Sequence, residues 1–135
     1  MQFNPDFCFD RYKEMKTVES ALMANLVTLR EIGQAYNEST PALLIKTWLI
    51  LLSEFMGFEV TPSQANETAR YIYEEAFMFN IAELTLFFKQ LKKGVYGEFY
   101  GKFNGQKILI AAREYRQRRG EIFCRLSESE QKRLM

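Results

Sequence analysis

Apolar residues recur at helical spacing along most of the chain. A first long helix is predicted over residues 17–36, where apolar side chains share one face. A second is predicted over Pro41–Met56, because Ser39 and Thr40 are capping residues and Gly57 follows as a stop signal. Apolar residues surround most of this second helix, so we expect it to be the central and most buried one.

Two later helices begin at capping signals. Thr61 is followed by a proline and then by Gln64, an arrangement typical of a capping box at a helix start. Asn80, with Glu83 three residues on, marks the next start. That helix is predicted to end at Gly94, since glycine commonly follows the last helical residue.

The whole pattern predicts an all-α protein, a single-domain bundle of about five helices over residues 1–135. Residues 1–16 form an aromatic-rich lead-in, and residues 127–135 form a polar C-terminal tail. The last helix is predicted to start near Asn104, with Gly120 as the place for a bend or break.

The last two predicted helices are joined by KKGVYGEFYGKFNG, which holds four of the seven glycines. Its VYGEFYGKF part is a candidate for a short hairpin. A phosphate-binding loop does not fit, because the glycine spacing is one residue short and Phe103 replaces the required hydroxyl. Interleaved lysines and rings favour single-stranded nucleic acid, since phosphates attract cations and bases stack on flat rings.

A cationic ridge is predicted on the last helix, where three arginines recur at three-residue steps. The residues predicted to bind nucleic acid are Lys92, Lys93, Tyr96, Tyr100, Lys102, Lys107, Arg113, Arg116 and Arg119. The structural alternative is that the glycines permit a tight turn, the rings cap the core and the lysines are solvated.

Phe87 and Phe88 are adjacent on the fourth predicted helix, so one ring can be less buried than the other. An exposed ring there is a candidate docking point for a protein partner. Burial of both rings in the core is the alternative.

Composition argues against most enzyme chemistry. The chain has no histidine, which removes serine–histidine and cysteine–histidine pairs and histidine metal sites. We therefore expect a non-enzymatic protein with no cofactor and no metal. A carboxylate enzyme with a divalent ion would need acids such as Glu54, Glu74 and Glu83 to converge in one pocket.

The longest apolar run, LLIKTWLILL, is ten residues long and includes a lysine. A membrane span needs roughly 20 apolar residues, so we expect no membrane partner and a cytoplasmic protein.

Charge divides the chain sharply. Residues 1–88 carry six Lys/Arg and twelve Asp/Glu, whereas residues 89–135 carry twelve Lys/Arg and five Asp/Glu. The net charges are −6 and +7, a polarity that bears on partners rather than on fold. The basic half suits nucleic acid or an acidic protein; the alternative is an unevenly charged solvated surface.

The order of five motifs carries a resemblance: WLILL, TPSQA, AELTLFFK, KKGVYGEFYG and ILIAAREYRQRR. It resembles that of small helical replication-accessory proteins of phages and mobile elements, of the helicase-loader or helicase-inhibitor kind. The resemblance implies binding to a replicative helicase, and to the DNA on which it is placed, without catalytic residues. It carries over to Lys92, Lys93 and the basic segment Arg113–Arg119, and it names no counterpart for residues 1–40.

The leading hypothesis is a non-enzymatic accessory factor that binds nucleic acid, with single-stranded DNA favoured, and a protein such as a replicative helicase. The alternative is a pure protein–protein interaction module, such as an inhibitor, an adaptor or a phage assembly subunit. Its charge polarity would then serve head-to-tail oligomer or partner contacts.

Overall fold

A computed structural model describes residues 3–135 of the chain. These residues form eight α-helices and no strand, with a single bridge between Thr28 and Asn80. The helices are α1 (Pro5–Arg11), α2 (Val18–Met23), α3 (Leu29–Ala35), α4 (Thr40–Met56), α5 (Pro62–Ala76), α6 (Ile81–Lys92), α7 (Gly105–Arg125) and α8 (Glu128–Leu134). The all-α class is confirmed, but the described chain has more helices than the predicted five.

The capping boxes predicted at two helix starts are formed. The Thr61 hydroxyl accepts from the Gln64 amide at 3.1 Å, and the Gln64 side chain accepts from the Thr61 amide at 3.0 Å. Asn80 and Glu83 make the same reciprocal bonds at the start of α6. Each pair satisfies backbone donors that the helix itself leaves unbonded.

Helix α4 has the predicted end and a slightly different beginning. Gly57 ends it with φ of +78°, a conformation that favours glycine. Pro41 lies in its first turn. Ser39 is the N-cap residue, but its hydroxyl donates to the side chain of Asn37 and caps no α4 amide.

The single helix predicted over residues 17–36 is wrong. The chain leaves α2 after Met23 and passes through Asn25, which has φ of +51°. Thr28 and Glu31 then form a new capping box that opens α3. The Leu29 amide donates to the Phe79 carbonyl at 2.9 Å. The turn between α5 and α6 therefore supplies the acceptor that a carbonyl four residues earlier would supply in a continuous helix.

Both chain ends hold a helix within the segments described above as a lead-in and a tail. The lead-in of residues 1–16 contains α1, apart from Met1 and Gln2, which lie outside the described residues. The tail of residues 127–135 contains α8. Helix α7 continues through Gly120 without a break, because one glycine inside a helix costs only about 1 kcal/mol.

Helix α6, rather than α4, is the most buried helix. Its residues 81–88 are all buried, and it packs against α1, α2, α4 and α7. Trp48 of α4 lies in the core between Phe9 and Phe88, with ring centroids 5.4 and 5.3 Å away. One face of α4 remains open to solvent, since only part of its circumference is covered by α3, α5 and α6.

Candidate nucleic-acid interface

The connector, defined here as residues 93–104 between α6 and α7, turns at three glycines. Gly94, Gly97 and Gly101 have φ values of +75°, +100° and +74°. Such values are strained for residues with a Cβ atom, so these turns depend on glycine. No strand forms here, and the predicted hairpin is wrong.

Two connector rings pack inward against the end of α4. Phe99 and Phe103 lie with ring centroids 5.9 and 6.1 Å from Phe58. This aromatic cluster fastens the connector to the core, as the structural alternative predicted.

Tyr96 also points inward, contrary to its predicted nucleic-acid role. Its ring lies 5.8 Å from Phe87, and its hydroxyl donates to the side chain of Gln90. Burial raises the pKa of the Tyr96 hydroxyl, with the nearby Glu114 carboxylate adding to the effect. The ring is therefore not available as a platform for a base.

Two of the predicted lysines hold parts of the fold together. Lys107 donates to the Glu98 carbonyl, and its ammonium lies 4.8 Å from the Phe99 ring centroid. The Lys92 ammonium lies 4.0 Å from the Phe9 ring centroid and 5.0 Å from that of Phe55. Cations over aromatic faces are attracted by the ring quadrupole, so both lysines are partly engaged.

Lys92 is also partly withdrawn from water. Burial lowers the pKa of its ammonium, while the Asp6 carboxylate acts in the opposite direction. It forms no ion pair with any residue in the described range 3–135.

Three predicted residues of the connector are exposed to solvent. Tyr100 is 85% exposed, and Lys93 and Lys102 are also exposed. The two lysines border different shallow depressions, of about 300 Å³ beside Lys93 and about 460 Å³ beside Lys102. We call Lys93, Tyr100 and Lys102 the connector surface.

Two arginines of the predicted ridge share one carboxylate. Arg113 Nε and Arg116 Nη1 each lie 3.0 Å from a different oxygen of Glu75. The hydrogen bond from Arg113 is the largest influence that lowers the pKa of Glu75. Both arginines remain substantially exposed, and the three groups together carry one excess positive charge.

The third arginine is a structural residue. Arg119 Nε lies 2.7 Å from Glu83 Oε2, and Arg119 Nη2 donates to the Met78 carbonyl at 3.1 Å. The Glu83 side chain is completely buried, and burial raises its pKa although Arg119 acts to lower it. Arg119 is therefore committed to a buried carboxylate, an arrangement that does not favour its predicted contact with nucleic acid.

Phe87 and Phe88 are both core residues. They are 0% and 1% exposed and pack edge to face with centroids 5.5 Å apart. Their neighbours come from two different helices, since Phe87 contacts Tyr115 of α7 and Phe88 contacts Trp48 of α4. Neither ring offers a docking point, because α6 is covered all round.

The acids considered for metal catalysis do not converge. Glu54 and Glu74 are exposed, whereas Glu83 is buried against Arg119. Within residues 3–135, no group of three or more histidine, cysteine or acidic side chains is placed to hold a metal ion. In the same range, no helix is long and apolar enough to cross a membrane.

A surface groove that sequence reasoning missed lies where α3 meets α4. It encloses about 380 Å³, has threonines at positions 40 and 47, and is otherwise lined by Phe3, Ile32, Tyr36, Leu43 and Leu44. The signal was present in the sequence as apolar residues around most of α4, from which we predicted that α4 is the most buried helix.

Comparisons of the chain with protein-family models, with curated proteins and with solved structures found no match. The resemblance to replication-accessory proteins therefore stays a prediction.

Proposed function

We propose that the protein is a non-enzymatic accessory factor that binds single-stranded nucleic acid through the connector surface and a protein through a helical face. The observation that carries the nucleic-acid part is the exposure of Tyr100. Its neighbours Phe99 and Phe103 pack onto the core, whereas Tyr100 leaves most of its ring in water. A ring presented in this way supports stacking with an unpaired base.

The lysines in and beside the connector support contacts with phosphates. Lys93 and Lys102 are exposed and form no ion pair with any described residue, so their charge is available to a ligand. Lys92 and Lys107 are partly covered, and their ammonium groups lie over rings rather than beside carboxylates. Four lysines and one exposed ring in and beside the connector suit a short single strand better than a rigid duplex.

The test is binding of the full chain to labelled single- and double-stranded oligonucleotides over a salt series, followed by fluorescence anisotropy. For a single strand, the log–log salt slope is about −0.7 for each neutralised phosphate. The four lysines predict a slope of about −3, whereas participation of all seven predicted cations would give about −5. The slope therefore reports whether the arginines take part.

Matched triple variants locate the site. Lys93→Ala/Tyr100→Ala/Lys102→Ala is expected to weaken single-strand binding at least about tenfold, since it removes two phosphate contacts and one stacking ring. The control, Lys13→Ala/Lys16→Ala/Tyr36→Ala, removes the same side-chain types from the acidic half and should bind as the wild type does. Equal affinities of the two variants would refute the assignment.

The second candidate function is a pure protein–protein interaction module. It is favoured by the ion pairs of Arg113, Arg116 and Arg119 with Glu75 and Glu83. These pairs neutralise part of the positive charge of the C-terminal half within the fold, which leaves less of it for nucleic acid. Absence of oligonucleotide binding at low salt would select this candidate. In either case the resemblance makes a replicative helicase of a phage or mobile-element host the first protein partner to test.

A further inference from the structure

Helix α4 presents one narrow face to solvent. Leu43, Thr47, Ile50 and Glu54 are exposed and follow one another at steps of four, three and four residues. This spacing places them within about 60° of arc over three helical turns, a length of about 16 Å. Leu43 is 57% exposed and Ile50 is 38% exposed. We call these four residues the α4 face.

The polar residue in the middle of this face is already satisfied. The Thr47 hydroxyl donates to the Leu43 carbonyl at 3.1 Å, within the helix itself. Covering Thr47 with an apolar group therefore leaves no unpaired hydroxyl donor, and this lowers the cost of burying a polar side chain. The face behaves as apolar from Leu43 to Ile50.

The two ends of the α4 face differ in chemistry. At the N-terminal end it opens into the apolar groove, where the exposed Tyr36 adds a ring. At the C-terminal end Ile50 borders a depression of about 480 Å³ that is also lined by Glu54 and Glu59. Neither glutamate forms an ion pair with any residue in the described part of the chain. The face thus runs from apolar to acidic.

This gradient disfavours a second copy of the chain as the occupant. Antiparallel pairing of two α4 faces sets Thr47 opposite Ile50 and the Glu54 carboxylate opposite Leu43, where it would lose water without gaining a cation. Parallel pairing sets Glu54 opposite Glu54, and like charges repel. Glu54 and Glu59, which have no ion-pair partner among the described residues, instead favour a bound segment that carries a cation.

We propose that the α4 face docks an amphipathic helix of a partner protein, with apolar residues at helical spacing and lysine or arginine at the end that meets Glu54 and Glu59. The groove beside Tyr36 and Leu43 takes the apolar anchors, in the manner of other helix-in-groove complexes. The inference names the surface for the protein-binding part of the proposed function and rests on that part alone.

The test uses three synthetic 18-residue peptides with blocked ends and the full chain, with affinity measured by fluorescence anisotropy. The first peptide carries leucines at helical spacing and lysines at one end. The second replaces those lysines with glutamates, and the third scrambles the order of the first. We expect the basic-ended peptide to bind about tenfold more tightly than the acidic-ended one at low salt, and more tightly than the scrambled one.

Variants of the full chain assign the site. Leu43→Ser/Ile50→Ser is expected to weaken binding of the basic-ended peptide at least tenfold, because it removes the two exposed apolar anchors. Glu54→Gln/Glu59→Gln should abolish the preference between basic and acidic ends. Ile110→Ser, at an exposed apolar position on α7, is the control and should bind as the wild type does.

Several outcomes would overturn the inference: no binding of the basic-ended peptide, equal binding of the scrambled peptide, or wild-type affinity in the Leu43→Ser/Ile50→Ser variant. A concentration-dependent dimer that Ile50→Ser abolishes would show that a second copy occupies the face. Oligonucleotide binding of the Leu43→Ser/Ile50→Ser variant is expected to be unchanged. Failure of the peptide experiment is therefore distinguishable from failure of the nucleic-acid assignment.

Discussion

Replacing Arg119 tests whether this arginine supports the fold rather than a ligand. Arg119→Met keeps an apolar stem but removes the partner of Glu83, whose side chain is completely buried. Removing one member of a buried ion pair typically costs 3–5 kcal/mol. The Arg119 side chain is 17% exposed and the Asn80 amide still donates to Glu83, so we expect the lower end, about 3 kcal/mol.

The same variant should show a characteristic pH dependence. Burial raises the pKa of Glu83 in the folded state, and loss of the Arg119 charge raises it further. A carboxyl group whose pKa is raised by folding stabilises the native state most when it is protonated, and this contribution is lost as pH rises through the folded-state pKa. The stability deficit of Arg119→Met should therefore shrink as pH falls towards 4.5, the ordinary pKa of a glutamate side chain.

The assay is urea unfolding followed by circular dichroism, with the free energy of unfolding compared between variants. Arg116→Met is the matched control, because Glu75 keeps its bond to Arg113 and the Arg116 side chain is 48% exposed, and it should cost less than about 1 kcal/mol. Glu83→Gln/Arg119→Met should be more stable than Arg119→Met alone at pH 7.5, since no buried charge remains. Equal costs for Arg116→Met and Arg119→Met would refute the reasoning.

Three further predictions concern stability and reactivity. Gly120→Ala should stabilise α7 by up to about 1 kcal/mol in urea unfolding, because nothing lies near its added Cβ, whereas Gly97→Ala should destabilise the chain because φ is +100° there. Thr61→Ala should cost about 1 kcal/mol through the lost cap of α5, and Thr61→Ser should restore most of it. At pH 8 a thiol reagent, with the reaction followed by absorbance, should modify the exposed Cys124 quickly and Cys8 only after unfolding. The reason is that Cys8 is buried, and burial raises its pKa to about 11. Equal rates for the two thiols would contradict the burial of Cys8.

In the connector, residue types alone predicted only part of the candidate site. Lysines alternating with rings led us to predict a binding site in this segment, and Tyr100 and Lys102 are exposed there. Tyr96 has the same chemistry as Tyr100 but packs against Phe87. Nothing in the local sequence distinguishes the two rings, because their orientation depends on the core that the connector meets.

Local signals determined most helix starts. The capping boxes of Thr61 and Asn80 involve residues only three positions apart, so their geometry is available before any long-range contact forms. Thr28 and Glu31 are a similar capping signal within residues 17–36. We overlooked it because the apolar pattern continues across it. Short-range hydrogen bonding is therefore what the sequence by itself determined about this protein.

Only the tertiary structure decided which charges and which apolar faces are available. Glu75 meets Arg113 across 38 positions, and Glu83 meets Arg119 across 36, so charge counts along the chain could not show that these arginines are engaged. The exposed side of α4 likewise depends on where α3, α5 and α6 pack against it. Availability to a partner is a property of the surface left after packing, and packing joins residues that are distant in sequence.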